Sequence, residues 1–274
     1  MVIMRDQPKN VPSDKQKGYS LNSGRGNLLT NQVEPFAAFA PYYDSFMLKV
    51  VDYANWVKYI EKIFKTFKTK PKTILDLACG TGIPTLLLAK KGYRMIGIDR
   101  SAAMLEVLRK KSKGIDITTL EADIRDFKLL GQVDATICLY DSINYLLTEE
   151  DLKKCFQSVR TALAKNGLLI FDANTDYGLA SFWGTRETTR EAGNVHSIWR
   201  NSYDDKTKIS TLNLTCYVKG ENRSFVEVHQ ERGFELPVLQ ELLQNCGFSE
   251  VKFYHHGTFS PPTAITVRVM AVAR

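Results

Sequence analysis

Thr73-Ile-Leu-Asp-Leu-Ala-Cys-Gly-Thr-Gly82 runs directly into Ile83-Pro-Thr-Leu-Leu-Leu-Ala-Lys-Lys91 and Gly92. The first six residues are a short, almost wholly apolar run and read as a buried strand. Gly80 and Gly82 then supply a bend, because glycine alone takes positive φ without cost. Pro84 sits where the first turn of a helix tolerates it, and Gly92 stops that helix. The same unit repeats downstream. Arg94–Asp99 reads as a second strand and Ala102–Lys113 as a helix whose basic C-terminal end suits its dipole. Ile117–Glu121, Val133–Leu139 and Gly167–Asp172 read as further strands, with Asp151–Ala164 as a helix before the last of them. Continuous apolar strands alternating with helices predict an α/β fold: a mostly parallel sheet with helices on both faces.

Outside this stretch the rhythm changes. Val50, Val51, Ala54, Val57, Ile60, Phe64 and Phe67 recur at helical spacing, so Asp44–Phe67 is predicted to be helical, ending at Lys70-Pro71-Lys72. Val195–Tyr203, Lys208–Lys219 and Ser224–Phe234 read as three β segments, an antiparallel meander inserted into the α/β domain. Leu236–Cys246 reads as a helix, and Val251–His255 and Ile265–Ala273 as two closing strands, seven in the main sheet. Residues 1–33 are polar and rich in Gly, Ser, Asn and Lys, a composition that buries too little apolar surface to order itself. The expected organisation is a tail over 1–33 and one domain over 34–274, with 195–234 as an antiparallel insertion.

The chain has 274 residues, 44% hydrophobic and 24% charged, which excludes disordered and fibrous classes. Its net charge of +7 permits nucleic-acid contact without requiring it, since no basic stripe follows a helix. The five cysteines are scattered, without metal-ligand spacing, so reduced thiols in a cytoplasm and no metal site are expected. No apolar run reaches the ~18 residues a membrane span needs. Met1–Asn10 lacks the apolar stretch of a signal peptide.

The chemistry gathers at the bend. Glycines there let a ligand approach the backbone, and Asp99, at the tip of the second strand, suits the two hydroxyls of a ribose. A dinucleotide fingerprint wants a third glycine where Thr85 stands. Asp76 would also repel a pyrophosphate. It suits instead a cofactor carrying an ammonium group and no phosphate, which describes S-adenosylmethionine.

Asp76-Leu-Ala-Cys-Gly-Thr-Gly82 resembles the first motif of class I S-adenosylmethionine-dependent methyltransferases, with Ala78 in place of its first glycine. Asp99-Arg-Ser-Ala-Ala-Met-Leu105 resembles the second, and Glu121-Ala-Asp123-Ile124 the third. Leu163–Asp172 resembles a fourth segment, with Lys165-Asn166-Gly167 where Pro-Gly-Gly is usual. The resemblance implies a Rossmann-like methyltransferase fold over roughly 36–274. It further implies that Asp99 holds the ribose, Met104 lies against adenine and Asp123 receives its amino group. Asp76, Ala78, Gly80, Thr81, Gly82, Arg100, Ile124 and Leu139 complete the implied cofactor set.

A narrower likeness rests on Phe39-Ala-Pro-Tyr-Tyr-Asp44, Asp52–Trp56, Ser142–Tyr145 and the meander. These are similar to a branch holding amino-sugar N,N-dimethyltransferases and glycine N-methyltransferase-like enzymes. It implies a small-molecule acceptor, methylated on nitrogen ahead of oxygen, with an N-terminal tyrosine closing over the sulfonium and the meander roofing the acceptor. Tyr43 and Tyr145 are the candidates for lining the transfer path, and Asn144 for orienting the acceptor by hydrogen bonding. Competing readings are an RNA methyltransferase and an S-adenosylmethionine-binding protein without turnover. A monomer or a homodimer fits equally. Asp141 reads as a substrate ligand or a helix cap, His196 and His229 as meander residues that could reach the acceptor, and His255-His256 as a solvent-facing pair ahead of a proton acceptor.

Overall fold

The computed structural model describes residues 31–221 and 223–274. In chain order the elements open with β1 (Asn31–Val33), α1 (Ala40–Met47), α2 (Tyr53–Thr66), β2 (Thr73–Leu77), α3 (Ile83–Ala89), β3 (Arg94–Asp99) and α4 (Ala102–Lys111). Next come β4 (Ile117–Glu121), β5 (Val133–Cys138), a 3-10 turn (Ser142–Tyr145), α5 (Glu149–Ala162), β6 (Leu163–Asn174) and a π-helical turn (Gly178–Trp183). The chain closes with β7 (Glu187–Ala192), β8 (Val195–Asp204), β9 (Ile209–Val218), β10 (Arg223–Arg232), α6 (Leu236–Asn245), β11 (Val251–His255) and β12 (Arg268–Ala273).

Seven strands form the main sheet in the order β11-β12-β6-β5-β2-β3-β4. The five from β4 to β6 run parallel, and β12 and β11 close the edge antiparallel. This is the mostly parallel sheet expected from the alternating apolar runs. One face of it packs Ile74, Met95, Ile137 and Ile170 against Val57, Ile60 and Phe64 of α2 and Leu88 of α3. The other packs Leu75, Leu77, Ile98 and Phe171 against Phe156 and Val159 of α5 and Leu239 and Leu243 of α6. Both faces are thus covered, which is why these strands carry no polar alternation.

The meander is a second sheet of five strands, ordered β1-β10-β9-β8-β7. Its inner face buries Val195, Leu214, Cys216 and Phe225 against Phe39 and Phe46, so α1 joins the two sheets.

Three expectations need correction. Asn31–Val33, read as tail, pair in parallel with Phe225–Glu227; the remainder of that tail, residues 1–30, lies outside the described residues. The single helix expected over Asp44–Phe67 is two helices. The chain breaks between them at Asp52, whose carboxylate accepts the Asn55 N–H at 3.0 Å and caps α2. Finally, Glu187–Ala192 is an additional meander strand, exposed and half-buried residues alternating along an edge.

Candidate active site

A cavity of about 1100 Å³ lies beyond the C-terminal ends of β2, β3, β5 and β6, roofed by the meander and α1. It sits where the sheet order reverses: β3 and β4 extend to one side of β2, β5 and β6 to the other. Open α/β sheets bind ligands at that switch point.

The bend after β2 shapes one wall. Ala78, Gly80 and Gly82 all take positive φ, at 51°, 55° and 74°. A Cβ on Gly80 would meet no described atom within 4 Å, so this backbone is open to the cavity. Gly82 does something else. Its missing Cβ would stand 2.2 Å from Leu108 Cδ1, so this glycine lets α3 seat against α4, and it is not part of the cavity wall. Gly82→Ala should cost roughly 2–4 kcal/mol, from a left-handed backbone and an overpacked contact together. Chemical denaturation would read this as a lowered midpoint, with a smaller further loss when Gly82→Ala is made in a Leu108→Ala background. An unchanged midpoint would remove the packing role.

Three carboxylates face the same wall. Asp99 accepts the Gly80 N–H at 2.7 Å on one oxygen and the Ser101 N–H at 2.8 Å on the other. Each oxygen keeps a lone pair, and burial raises its carboxyl above the ordinary range. Asp76 is buried, accepts the Thr85 hydroxyl at 2.5 Å, and pairs with no cation among the described residues. Burial pushes its carboxyl up to about 7. A buried carboxylate lacking a counter-charge is what an incoming ammonium compensates. Asp123, also on the wall, is clasped by Arg125 through Nη2 at 2.6 Å and Nε at 2.9 Å, which lowers its carboxyl.

The N-terminal segment closes the opposite side. Asp44 on α1 accepts from the Thr81 hydroxyl and from Lys111 Nζ, both at 2.5 Å, pinning α1 to the bend. Glu227 of β10 is fully buried and accepts three backbone N–H groups: Phe36 at 2.8 Å, Ala38 at 2.9 Å and Phe39 at 2.9 Å. Phe36 is held at φ 62°, a conformation a bulky side chain rarely adopts, and this carboxylate stabilises it. Its ring then lies 5.6 Å from Tyr145 and 4.7 Å from His229. Tyr145 shares a hydrogen bond of 3.1 Å with His229 Nδ1. Tyr43 stands between Phe36 and Phe39.

The floor is a polar network. Tyr140 and Asp141 both have positive φ, and their N–H groups converge on Asp172 at 2.6 and 2.9 Å. Arg268 Nη1 bonds Asp172 at 2.5 Å and Asp141 at 3.2 Å. Asn174 Nδ2 bonds Asp141 at 2.8 Å and Glu231 at 2.9 Å. Asn144, expected to orient the acceptor, belongs to the scaffold instead. Its amide donates to the Asn174 and Arg232 carbonyls and accepts the Asn174 N–H, which spends the side chain, and it does not line the cavity.

Of the expected cofactor residues, Asp76, Ala78, Gly80, Thr81 and Asp99 line the cavity together. Arg100, Met104, Asp123, Ile124 and Leu139 continue the same wall, and Tyr43 and Tyr145 face it. Gly82 and Asn144 stand outside. His256, read as solvent-facing, is 3% exposed in the wall, 4.2 Å from the Trp56 ring, with neither ring nitrogen bonded among the described residues. Glu227 and Glu231 escaped the sequence reading, although a signal existed. Phe225, Glu227, His229 and Glu231 alternate on one face of β10, an inward face that is charged rather than apolar.

Residues 74–167 match the model of a methyltransferase domain. YqeM of Bacillus subtilis (strain 168), whose name designates it a methyltransferase without a stated acceptor, is 31% identical, covering 87% of this chain and 96% of that protein. The chain belongs to the S-adenosylmethionine-dependent methyltransferase family. A solved S-adenosylmethionine-dependent methyltransferase from Clostridium acetobutylicum ATCC 824 overlays this methyltransferase with a TM-score of 0.75 at 27% identity, covering 86% of this chain and 97% of that one. A glycine/sarcosine N-methyltransferase of Halorhodospira halochloris is 30% identical over 50% of this chain and 55% of that protein. No helix among the described residues is long and apolar enough to cross a membrane.

Proposed function

We propose that this methyltransferase carries the methyl group of S-adenosylmethionine to a nitrogen of a small molecule held beneath the meander. The observation carrying this reading is that one cavity runs from the bend at Gly80 and Asp99 to Glu231 and Arg190 of the meander, bringing a donor wall and a polar far wall together. The likeness to a glycine/sarcosine N-methyltransferase supports nitrogen as the acceptor atom.

In this reading Asp99 accepts from both ribose hydroxyls, Asp76 faces the ammonium end of the donor, Met104 lies against adenine and Asp123 takes the adenine amino group. Bound S-adenosylmethionine supplies a methyl already activated by its sulfonium. The chain's part is then to align an acceptor and exclude water, effects that together reach roughly 7–11 kcal/mol. Tyr43 and Tyr145 border the transfer path, where aromatic faces steady a cation by about 0.5–2 kcal/mol. All five cysteines are free and buried, which supports a reducing cytoplasm as the place of work.

A pH dependence follows from Asp76. Its carboxyl, at about 7 in the free protein, must ionise to meet a cation. Donor affinity measured by calorimetry should rise with pH through about 7 and level above about 8. Asp76→Asn should flatten that slope and lower the plateau. The stability of the free chain runs the other way. An acid whose folded value lies above its ordinary 3.8 stabilises the fold at low pH, and this contribution is lost as pH rises to about 7.

Incubation with labelled S-adenosylmethionine and a panel of amines, amino sugars, phenols and tRNA tests the acceptor. Label should pass to an amine. Transfer confined to phenols or tRNA would overturn nitrogen and small molecule respectively.

A further inference from the structure

The cavity holds an imbalance of charge on the side away from the bend. Three carboxyl groups meet there: Asp141 after β5, Asp172 on β6 and Glu231 on β10. Among the described residues Arg268 of β12 is the one guanidinium bonded to this group, and its Nη1 serves Asp141 and Asp172. Glu231 receives only the Asn174 amide, at 2.9 Å, and forms no ion pair among the described residues. The Asn174 amide cannot be turned over, since its Nδ2 partner Asp141 is ion-paired with Arg268 and can only accept. Its Oδ1 is therefore left as an acceptor, and this atom is buried without a partner in a residue 2% exposed on the cavity wall. A buried acceptor with no donor costs about 1–3 kcal/mol, so the wall asks for N–H groups. Three carboxyl groups sharing one guanidinium, beside an unpartnered amide oxygen, match an ammonium; Arg190 of the same cavity lies over the Trp199 ring and forms no ion pair with them among the described residues.

We propose that Asp141, Asn174 and Glu231 form the subsite for the acceptor's ammonium group, and that Glu231 takes the proton this nitrogen must lose before methyl transfer. This rests on the methyltransferase reading above and names the acceptor's entering form. An ammonium has no lone pair and cannot attack. When one N–H bond breaks, its electron pair stays on nitrogen and the proton passes to a Glu231 carboxylate oxygen. That pair then forms the N–C bond as the methyl's C–S bond breaks toward sulfur. A methylated ammonium and S-adenosylhomocysteine result, and Glu231 returns its proton to water.

The setting suits the role. Burial, reinforced by the Asp141 charge, pushes the Glu231 carboxyl up to about 8, within range of an amine's proton. The groups facing it are Asp141, Asp172 and Arg268 across the floor and Tyr145 from the 3-10 turn, with His229 next along its own strand face. Asn144 acts here as a positioning residue. It holds the Asn174 backbone from both sides, and Asn174 in turn orients both carboxylates.

Calorimetry on the full chain loaded with S-adenosylhomocysteine tests this, with benzylamine and benzyl alcohol as probes at pH 7. The wild type should bind the amine at least about tenfold more tightly than the alcohol. It should also release close to one proton per site as Glu231 ionises, read from the dependence of the heat on buffer. Glu231→Gln should abolish both the preference and the proton release, while its affinity for S-adenosylhomocysteine stays within about twofold. A wild type that binds neither probe, binds both equally or releases no proton overturns the subsite whether or not the variant folds. So does a Gln variant that keeps the preference. If the wild type fails to bind S-adenosylhomocysteine at all, the methyltransferase reading falls instead.

Discussion

Asp99→Ala should weaken S-adenosylmethionine binding by at least about 100-fold. A hydrogen bond to a charged group contributes about 1.5–3 kcal/mol, and two ribose hydroxyls would be lost. Every 1.4 kcal/mol is tenfold in affinity. The variant loses more than ligand contacts, because Asp99 also accepts the Gly80 and Ser101 N–H groups and so links the bend to the start of α4. Asp99→Asn separates the two effects. Its amide keeps one accepting oxygen and the side chain's shape, so it should fall between wild type and Ala. Calorimetric affinity that is the same in all three would move the ribose elsewhere.

The second large effect is expected at Glu227. Its carboxylate gathers three backbone N–H groups from Phe36, Ala38 and Phe39, and β1 adds only a three-residue pairing beside it. Glu227→Ala strands those donors and removes what holds Phe36 at positive φ. The loss should be roughly 3–5 kcal/mol, concentrated in this segment. Amide exchange at Phe36, Ala38 and Phe39 should then quicken by about 100- to 1000-fold, while β2 and β5 in the main sheet keep their protection. Glu227→Gln keeps one accepting oxygen and should fall between. Because Phe36 lines the cavity, donor affinity should drop along with the protection. Exchange that stays slow in Glu227→Ala would show that α1 and its aromatic contacts, not the carboxylate, hold the segment.

Local signals carried much of the architecture. The apolar runs at Thr73–Leu77, Arg94–Asp99 and Val133–Cys138 are strands because both faces of their sheet are covered, and such runs identify themselves. The bend and the acid at Asp99 could be picked out from neighbouring residues in the same way, and the structure sets them on one cavity wall. What the sequence hid depends on distant partners. Asn31–Val33 is a strand only because β10 offers it an edge. Asn144 stood beside a promising tyrosine, yet its amide is consumed by carbonyls 30 and 88 residues away. Gly82 looked like part of a ligand loop, but the atom its Cβ would strike belongs to α4. The charged face of β10 was written in the sequence as a strict alternation. Its meaning emerged only once that face was found turned toward the cavity.

A crystal structure of the chain with S-adenosylhomocysteine tests the central claim most directly. The account predicts the ribose hydroxyls on the Asp99 carboxylate, the amino-acid end between Gly80 and Asp76, and the sulfur facing Tyr43 and Glu231 across open cavity. A nucleoside bound away from Asp99, or a sulfur facing solvent with the meander side walled off, would contradict it.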